Sequence, residues 1–221
     1  MSASPPTVVP ILAMPFGIVT VPEADALNST ITDLFTAHAL ADDSRPRQNP
    51  LCYHSHDDLL EWPVDAVRQL SGDLLRGVCS VVGEINDFTE EKFRALDLQA
   101  RAWFTLMKTN GRVPATSYPL TAWCAIYCVA APQAPTTRLD SGVLRLYESR
   151  PCSMIADAST AQMRLPYTPG HHGWRPVPGQ MAVFPASLTH EIAPLRSAGE
   201  LVLVTLRVRF VGPGQQGVGR W

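Results

Sequence analysis

Six histidines are the side chains in this sequence best suited to chemistry. Imidazole titrates near neutrality and can act as a metal ligand, a base or an acid. His54 and His56 stand two apart in the stretch YHSHDDL, followed at once by Asp57 and Asp58. Residues two apart on a strand share a face, so such a pair with a carboxylate beside it can chelate one ion. The same aspartates also suit a helix start, where carboxylate oxygens cap free backbone N–H groups. The helical pattern that follows favours the capping role and puts both histidines in the loop before that helix. His171 and His172 are adjacent in PGHHGW. Neighbours on a strand point to opposite faces, so they chelate poorly, and the flanking glycines read as a turn with solvated imidazoles. His190 stands alone. It reads as a core imidazole fixed by hydrogen bonds, or as a general acid or base in a half-buried pocket.

The other reactive residues are sparser. Five cysteines are an odd number with no Cys-x-x-Cys, which fits reduced thiols in a cytoplasmic protein. Cys124 and Cys128 read as small core residues. Cys124 with His190 is a conceivable nucleophile–base pair, but no local motif accompanies it. The chain has no phosphate-binding loop, no dinucleotide fingerprint and no nucleophile elbow.

These groups need elements to position them. The 221 residues are 46% hydrophobic and 17% charged, enough for a full core and too apolar for disorder. A net charge of −2 without a basic cluster argues against nucleic-acid binding by bulk charge. The apolar runs are too broken to span a membrane, and the first residues lack the basic start of a signal peptide. Twenty prolines and fourteen glycines exclude long helical bundles. Residues 8–20 read as an edge strand. Pro22 opens a helical segment carrying Ala26, Leu27, Ile31, Leu34 and Phe35, and residues 40–52 form a polar loop. A second helix carries Leu59, Leu60, Val64, Val67, Leu70, Leu74 and Val78, and Thr89 begins a shorter one through about Leu98. Beyond residue 100 the pattern turns to strands at Ala102–Met107, Trp123–Ala130, Gly142–Tyr147, Gln180–Phe184 and Leu201–Phe210. The expected class is α+β in one domain, 1–221. A strand and helices (1–100) flank a β-barrel core (101–211), with a flexible tail (212–221).

Several stretches resemble the bacterial 2-oxoglutarate/iron(II) oxygenases, whose fold is a double-stranded β-helix, a cupin-like jelly roll. ILAMPFGIVTVPEADALN resembles their opening strand and helix, and Trp103 sits where they carry Trp-x-Asn. TSYPLTAWCAIYCV (116–129) resembles their His-x-His-Pro…Ser-Gly-x-Tyr-Tyr-Val segment, and GVLRLYESR (142–150) resembles Gly-x-Leu-x-Phe-x-Asp-Pro-Arg. PGQMAVFPASLTHEIAP (178–194) resembles Pro-Gly-x-Leu-x-x-Phe-Pro-x-x-Leu-x-His-x-Val-x-Pro, the most specific match. The resemblance implies three facial iron ligands and an arginine that grips the oxoacid's far carboxylate. His190 falls on the distal ligand. The two proximal positions fall on Thr116 and Tyr118, neither an ordinary iron(II) ligand, and the arginine position falls on Leu201. Sliding the register brings no remedy, since residues 103–130 contain no His, Asp or Glu.

The resemblance therefore implies a barrel that has kept one imidazole and lost its cofactors. Expected catalytic residues are His190, Tyr118 and Thr116. Expected substrate contacts are Cys124, Tyr127, Arg150, Arg207 and Leu201. By period two, Arg207 and Arg209 share the face of Leu201, although a bulge that leaves both solvated is the favoured reading. Glu148 and Arg150 read as a rim ion pair. No metal or cofactor is expected. Should a metal be recruited, its ligands would be His190 with His54, His56 or His171, and the alternative cofactors are Fe(II) and 2-oxoglutarate. Trp174 and Trp221 read as exposed aromatics, and Trp62, Trp103 and Trp123 as core. Three functions compete. The first is a non-redox enzyme of specialised metabolism performing elimination, cyclisation or isomerisation, with aziridine-type ring closure as an example. The second is a non-catalytic subunit that stabilises a partner. The third is an iron oxygenase with atypical ligands. The expected partner is a small-molecule or carrier-bound metabolite, with a hetero- or homo-oligomer as the protein partner, and neither nucleic acid nor membrane.

Overall fold

Apolar residues alternating with a period of two dictate a chain of short strands, and the computed structural model arranges them as two antiparallel sheets. It describes residues 13–42, 50–133, 140–147, 163 and 170–213. The strands are β1 (Gly17–Thr20), β2 (Cys52–His54), β3 (Asp97–Lys108), β4 (Val113–Thr116), β5 (Trp123–Ala130), β6 (Leu144–Tyr147), β7 (His171–Trp174), β8 (Gln180–Pro185), β9 (His190–Ile192) and β10 (Glu200–Val211). Six form a large sheet in the order β1-β8-β5-β10-β3-β2, and four form a small one in the order β4-β9-β6-β7.

The large sheet is apolar on both faces because both are covered. On β10, Val202, Val204, Leu206 and Val208 face helices α1 (Ala24–Ala41) and α2 (Asp65–Glu84), together with Ile31, Phe35, Leu70 and Leu74. Leu201 and Leu203 face the small sheet, with Leu144, Leu146 and Ile192. Each such fully buried side chain stabilises by roughly 1.5–3 kcal/mol relative to exposure. On β5 the alternation puts Cys124, Ile126 and Cys128 between the sheets, and Ala125, Tyr127 and Val129 under the helices. Among the described residues, no helix is long and apolar enough to cross a membrane.

Several elements differ from the sequence expectation. His54 ends a strand, β2, which pairs with β3 through Cys52↔Met107 and His54↔Thr105; it does not sit in a loop before a helix. Asp57 and Asp58 open no long helix. A 3-10 turn, Leu59–Glu61, comes first, and Pro63 forces Trp62 into extended backbone before α2 starts at Asp65. The Asp58 carboxylate accepts from Trp62 Nε1 at 3.3 Å, with no cap bond. The third helix, α3 (Glu90–Arg94), starts at the Thr89 cap but ends short of Leu98, because β3 takes the chain from Asp97. His171–Trp174 is a strand paired with β6, not a turn. Of the expected first strand, Gly17–Thr20 is strand, and residues 8–12 lie outside the described residues, as does most of the expected tail.

Candidate functional site

Between the two sheets lies a cavity of about 450 Å³, within the size range of small-molecule sites. The large sheet lines it with His54 of β2, Trp103 and Thr105 of β3, Ile126 of β5, and Leu203 and Thr205 of β10. The small sheet contributes Val113 of β4 and His190 and Ile192 of β9. Ser55 and Asp57, just past β2, and Tyr118, just past β4, complete the wall.

His190 is buried, and β9 holds it in register with Thr116 on β4 and Leu146 on β6. Its Nδ1 lies 2.9 Å from the Leu188 carbonyl oxygen. A carbonyl can only accept, so the neutral ring carries its proton on Nδ1 and keeps its lone pair on Nε2. Burial holds the imidazole below its ordinary value, partly offset by the Leu188 carbonyl. The ring is therefore neutral at neutral pH and poised as a base. Phe184 packs edge-on at 5.0 Å, and the Tyr118 ring lies at 5.5 Å.

Tyr118 is anchored by its backbone N–H, which donates to the Ala186 carbonyl at 2.7 Å. Burial and the Cys124 thiol beside it push its phenol far above the ordinary value, while Arg207 and a hydrogen bond from Thr116 pull it down. The phenol stays protonated. Arg207 stands over two cavity rings, with its guanidinium carbon 5.3 Å from the centroids of both Trp103 and Tyr118. Its Nη2 donates to Asp57 Oδ2 at 3.2 Å. The expected solvation of Arg207 is thus corrected. Its side chain is 22% exposed, because β10 and β3 keep an unbroken register from Glu200↔Lys108 to Val211↔Asp97. The bulge falls in the pairing with β5, near Val202 and Leu203. Arg209 Nε donates to Gln99 Oε1 at 2.7 Å.

Other expected contacts lie elsewhere. Tyr127 faces the helices, where its hydroxyl donates to Asn28 Oδ1 at 2.8 Å, so it cannot touch a ligand between the sheets. Cys124 points inward but is fully buried in the core behind the cavity wall. Desolvation raises its thiol strongly, against the pull of Arg207, so no thiolate nucleophile is available there. Leu201 packs into the inter-sheet core and lines no part of the cavity. Trp174 is buried at 7% exposure, not displayed, and Trp103 forms cavity wall where core was expected. Arg150, Glu148 and Trp221 lie outside the described residues.

His54 is the functional candidate that the sequence reading set aside. Thr105 Oγ1 lies 2.9 Å from its Nδ1, and Cys52 Sγ 3.4 Å from its Nε2. The signal was the alternation of Cys52 and His54 around Tyr53, in a strand too short to read. His56 and His171 are exposed.

The donors here do not fit an iron(II) facial triad. Thr116 offers a hydroxyl, and Tyr118 a phenol that burial keeps protonated. Both ring nitrogens of His54 have partners, and the Asp57 carboxylate accepts from Arg207. Among the described residues, no three His, Cys, Asp or Glu side chains come together in a metal-binding group. The position at which the resemblance expects an arginine for the oxoacid is Leu201, an apolar side chain that cannot pair with a carboxylate.

No family model and no curated protein matches the sequence. Solved structures do resemble it. AviO1 from Streptomyces viridochromogenes Tue57 superposes with a TM-score of 0.57 at 14% identity, over 94% of this chain and 94% of that one. A Pseudomonas putida prolyl-4-hydroxylase gives 0.55 at 14% identity, over 88% and 91%. SnoN, a non-heme alpha-ketoglutarate-dependent epimerase from nogalamycin biosynthesis, gives 0.55 at 14% identity, over 93% and 87%. The chain therefore has the fold of the 2-oxoglutarate/iron(II) oxygenases, as the sequence resemblance implied.

Proposed function

We propose that this protein is a cofactor-independent acid–base enzyme on an oxygenase barrel, catalysing an elimination, cyclisation or isomerisation of a small metabolite. The observation that carries the reading is His190, a neutral imidazole with its proton pinned on Nδ1, lining a cavity beside the Tyr118 phenol. His190 Nε2 accepts a proton from a substrate carbon or amine. The electron pair released forms the new π bond or ring bond, and the leaving group departs with a hydrogen bond from Tyr118. Arg207, 5.3 Å from the phenol ring, favours the negative charge that such donation develops. Closure of an aziridine by displacement of a leaving group is one reaction of this type. A role in specialised-metabolite biosynthesis draws support from the fold shared with SnoN of nogalamycin biosynthesis.

The test is turnover in the presence of a chelator and without 2-oxoglutarate, alongside metal analysis of anaerobically purified protein given iron. Conversion that persists there and is lost in a folded His190→Gln variant supports the reading. Stoichiometric iron and a strict need for 2-oxoglutarate would establish an oxygenase with atypical ligands. A tight protein partner, with neither chain stable alone, would establish a non-catalytic subunit.

A further inference from the structure

Asp57 lines the cavity while its side chain is 52% exposed, which places it at the mouth. Its carboxylate lies 3.2 Å from Nη2 of Arg207, and the guanidinium carbon rests 5.3 Å from the ring centroids of both Trp103 and Tyr118, which meet edge to face at 5.6 Å. The cation is thus preorganised by two cavity-wall aromatics, whereas its counterion is half in water. Ion pairs with a partner so exposed are weak and easily exchanged. A guanidinium edge matches a carboxylate by parallel N–H donors, and its orientation here costs an incoming ligand little ordering.

We propose that the substrate of this cavity carries a carboxylate that takes the place of Asp57 on Arg207. Asp57 acts as an internal stand-in, closing the cation while the cavity is empty and swinging into solvent when the ligand arrives. This places the substrate's anionic end beside Trp103 and Tyr118, and so brings its reacting carbon towards His190, whose ring lies 5.5 Å from that of Tyr118. The inference rests on the reading of the cavity as a small-molecule site.

Benzoate is the probe, with benzamide as its neutral counterpart and inorganic phosphate as a competing anion, each titrated against the full chain by calorimetry and tryptophan fluorescence. Benzoate is expected to bind, and benzamide and phosphate to bind at least about tenfold more weakly. Arg207→Gln should weaken benzoate about tenfold or more. Asp57→Asn, which removes the stand-in, should tighten it about threefold. If Arg207→Gln does not fold, the Asp57→Asn titration decides alone. Benzoate that binds no better than benzamide, phosphate that binds better than benzoate, or an unchanged or weaker affinity in Asp57→Asn overturns the proposal. The two readings fail separately. Turnover surviving in His190→Gln overturns the acid–base chemistry and leaves the anchor standing. Benzoate affinity surviving in Arg207→Gln does the reverse.

Discussion

The Tyr118 side chain does two things that one substitution can separate. Its ring lies against the Arg207 guanidinium and 5.5 Å from the His190 ring, and its hydroxyl is a phenol that burial keeps protonated. Tyr118→Phe keeps the ring and removes the hydroxyl. Its kcat is expected to fall about 10²-fold or more, while benzoate affinity stays near the parent value. Tyr118→Ala removes both and should lose kcat and affinity together. Steady-state kinetics and calorimetry on the two variants check this, and an unchanged kcat in Tyr118→Phe would take the phenol out of the chemistry. His190, Thr116 and Tyr118 were legible because the family resemblance of the 178–194 and 116–129 segments implied that they meet, and the structure pairs Thr116 with His190 and sets Tyr118 just past β4. Arg207 was legible only as one of two outcomes, since sequence does not say which strand of a pair carries a bulge. His54 was hidden by chemistry that Asp57 and Asp58 share with helix caps. Tyr127 was misplaced as a ligand contact because strand assignment alone does not say which face meets the cavity, whereas Leu201 has the cavity-facing side of β10 but lies beyond the cavity along the strand.

At the scale of elements, the long strands and both long helices follow from periodicity, and four of the six short strands do not. β2, β4, β7 and β9 have three or four residues each, so each presents at most two residues to a face and no alternation can be counted. Three of them join β6 in the small sheet, and the fourth carries His54 at the edge of the large one. Four residues of the cavity wall, His54, Val113, His190 and Ile192, thus come from the elements hardest to read. The packing of α2 on β1 gives a test of how tightly the helical layer constrains the barrel. A Cβ added at Gly17 would lie 2.6 Å from both methyl carbons of Val81, a branched side chain with little freedom to retreat. Gly17→Ala is expected to destabilise by about 1–3 kcal/mol through overpacking. Gly83, near the end of the same helix, has nothing within 4 Å of such a Cβ. Gly83→Ala should stabilise by about 0.5–1 kcal/mol through helix propensity and reduced unfolded-state entropy. Urea midpoints of the two variants would show opposite shifts. Two shifts of the same sign would mean that α2 does not press on β1 as described.

For the whole molecule, the buried titratable groups set a pH window of stability, and the sign at each end follows from which state binds more protons. On the acid side, an unfolded histidine gains its proton around 6.5, whereas burial holds native His190 below that value. The unfolded chain therefore binds more protons as pH falls beneath 6.5, and stability declines. The Glu191 carboxyl, held below 4.5 by hydrogen bonds from Tyr147 and Arg145, adds a second decline under that pH. On the alkaline side, unfolded thiols lose their protons around 9.0, while native Cys52 is pushed up to about 11 and Cys128 to about 12. Between those values the native state holds protons that the unfolded state has released, so stability falls as pH rises. The unfolding free energy should therefore be highest between 6.5 and 9.0. His190→Gln should flatten the first acid step and leave the alkaline one in place. The same depressed imidazole sets the activity profile. A base must be unprotonated, so kcat/KM should fall on acidification only below 6.5. Urea denaturation at about pH 5, 7.5 and 10, with the parent and His190→Gln side by side, measures the window. A parent protein as stable at about pH 5 as at 7.5 would contradict the burial of His190 as a neutral ring, and with it the protonation state on which its role as a base depends.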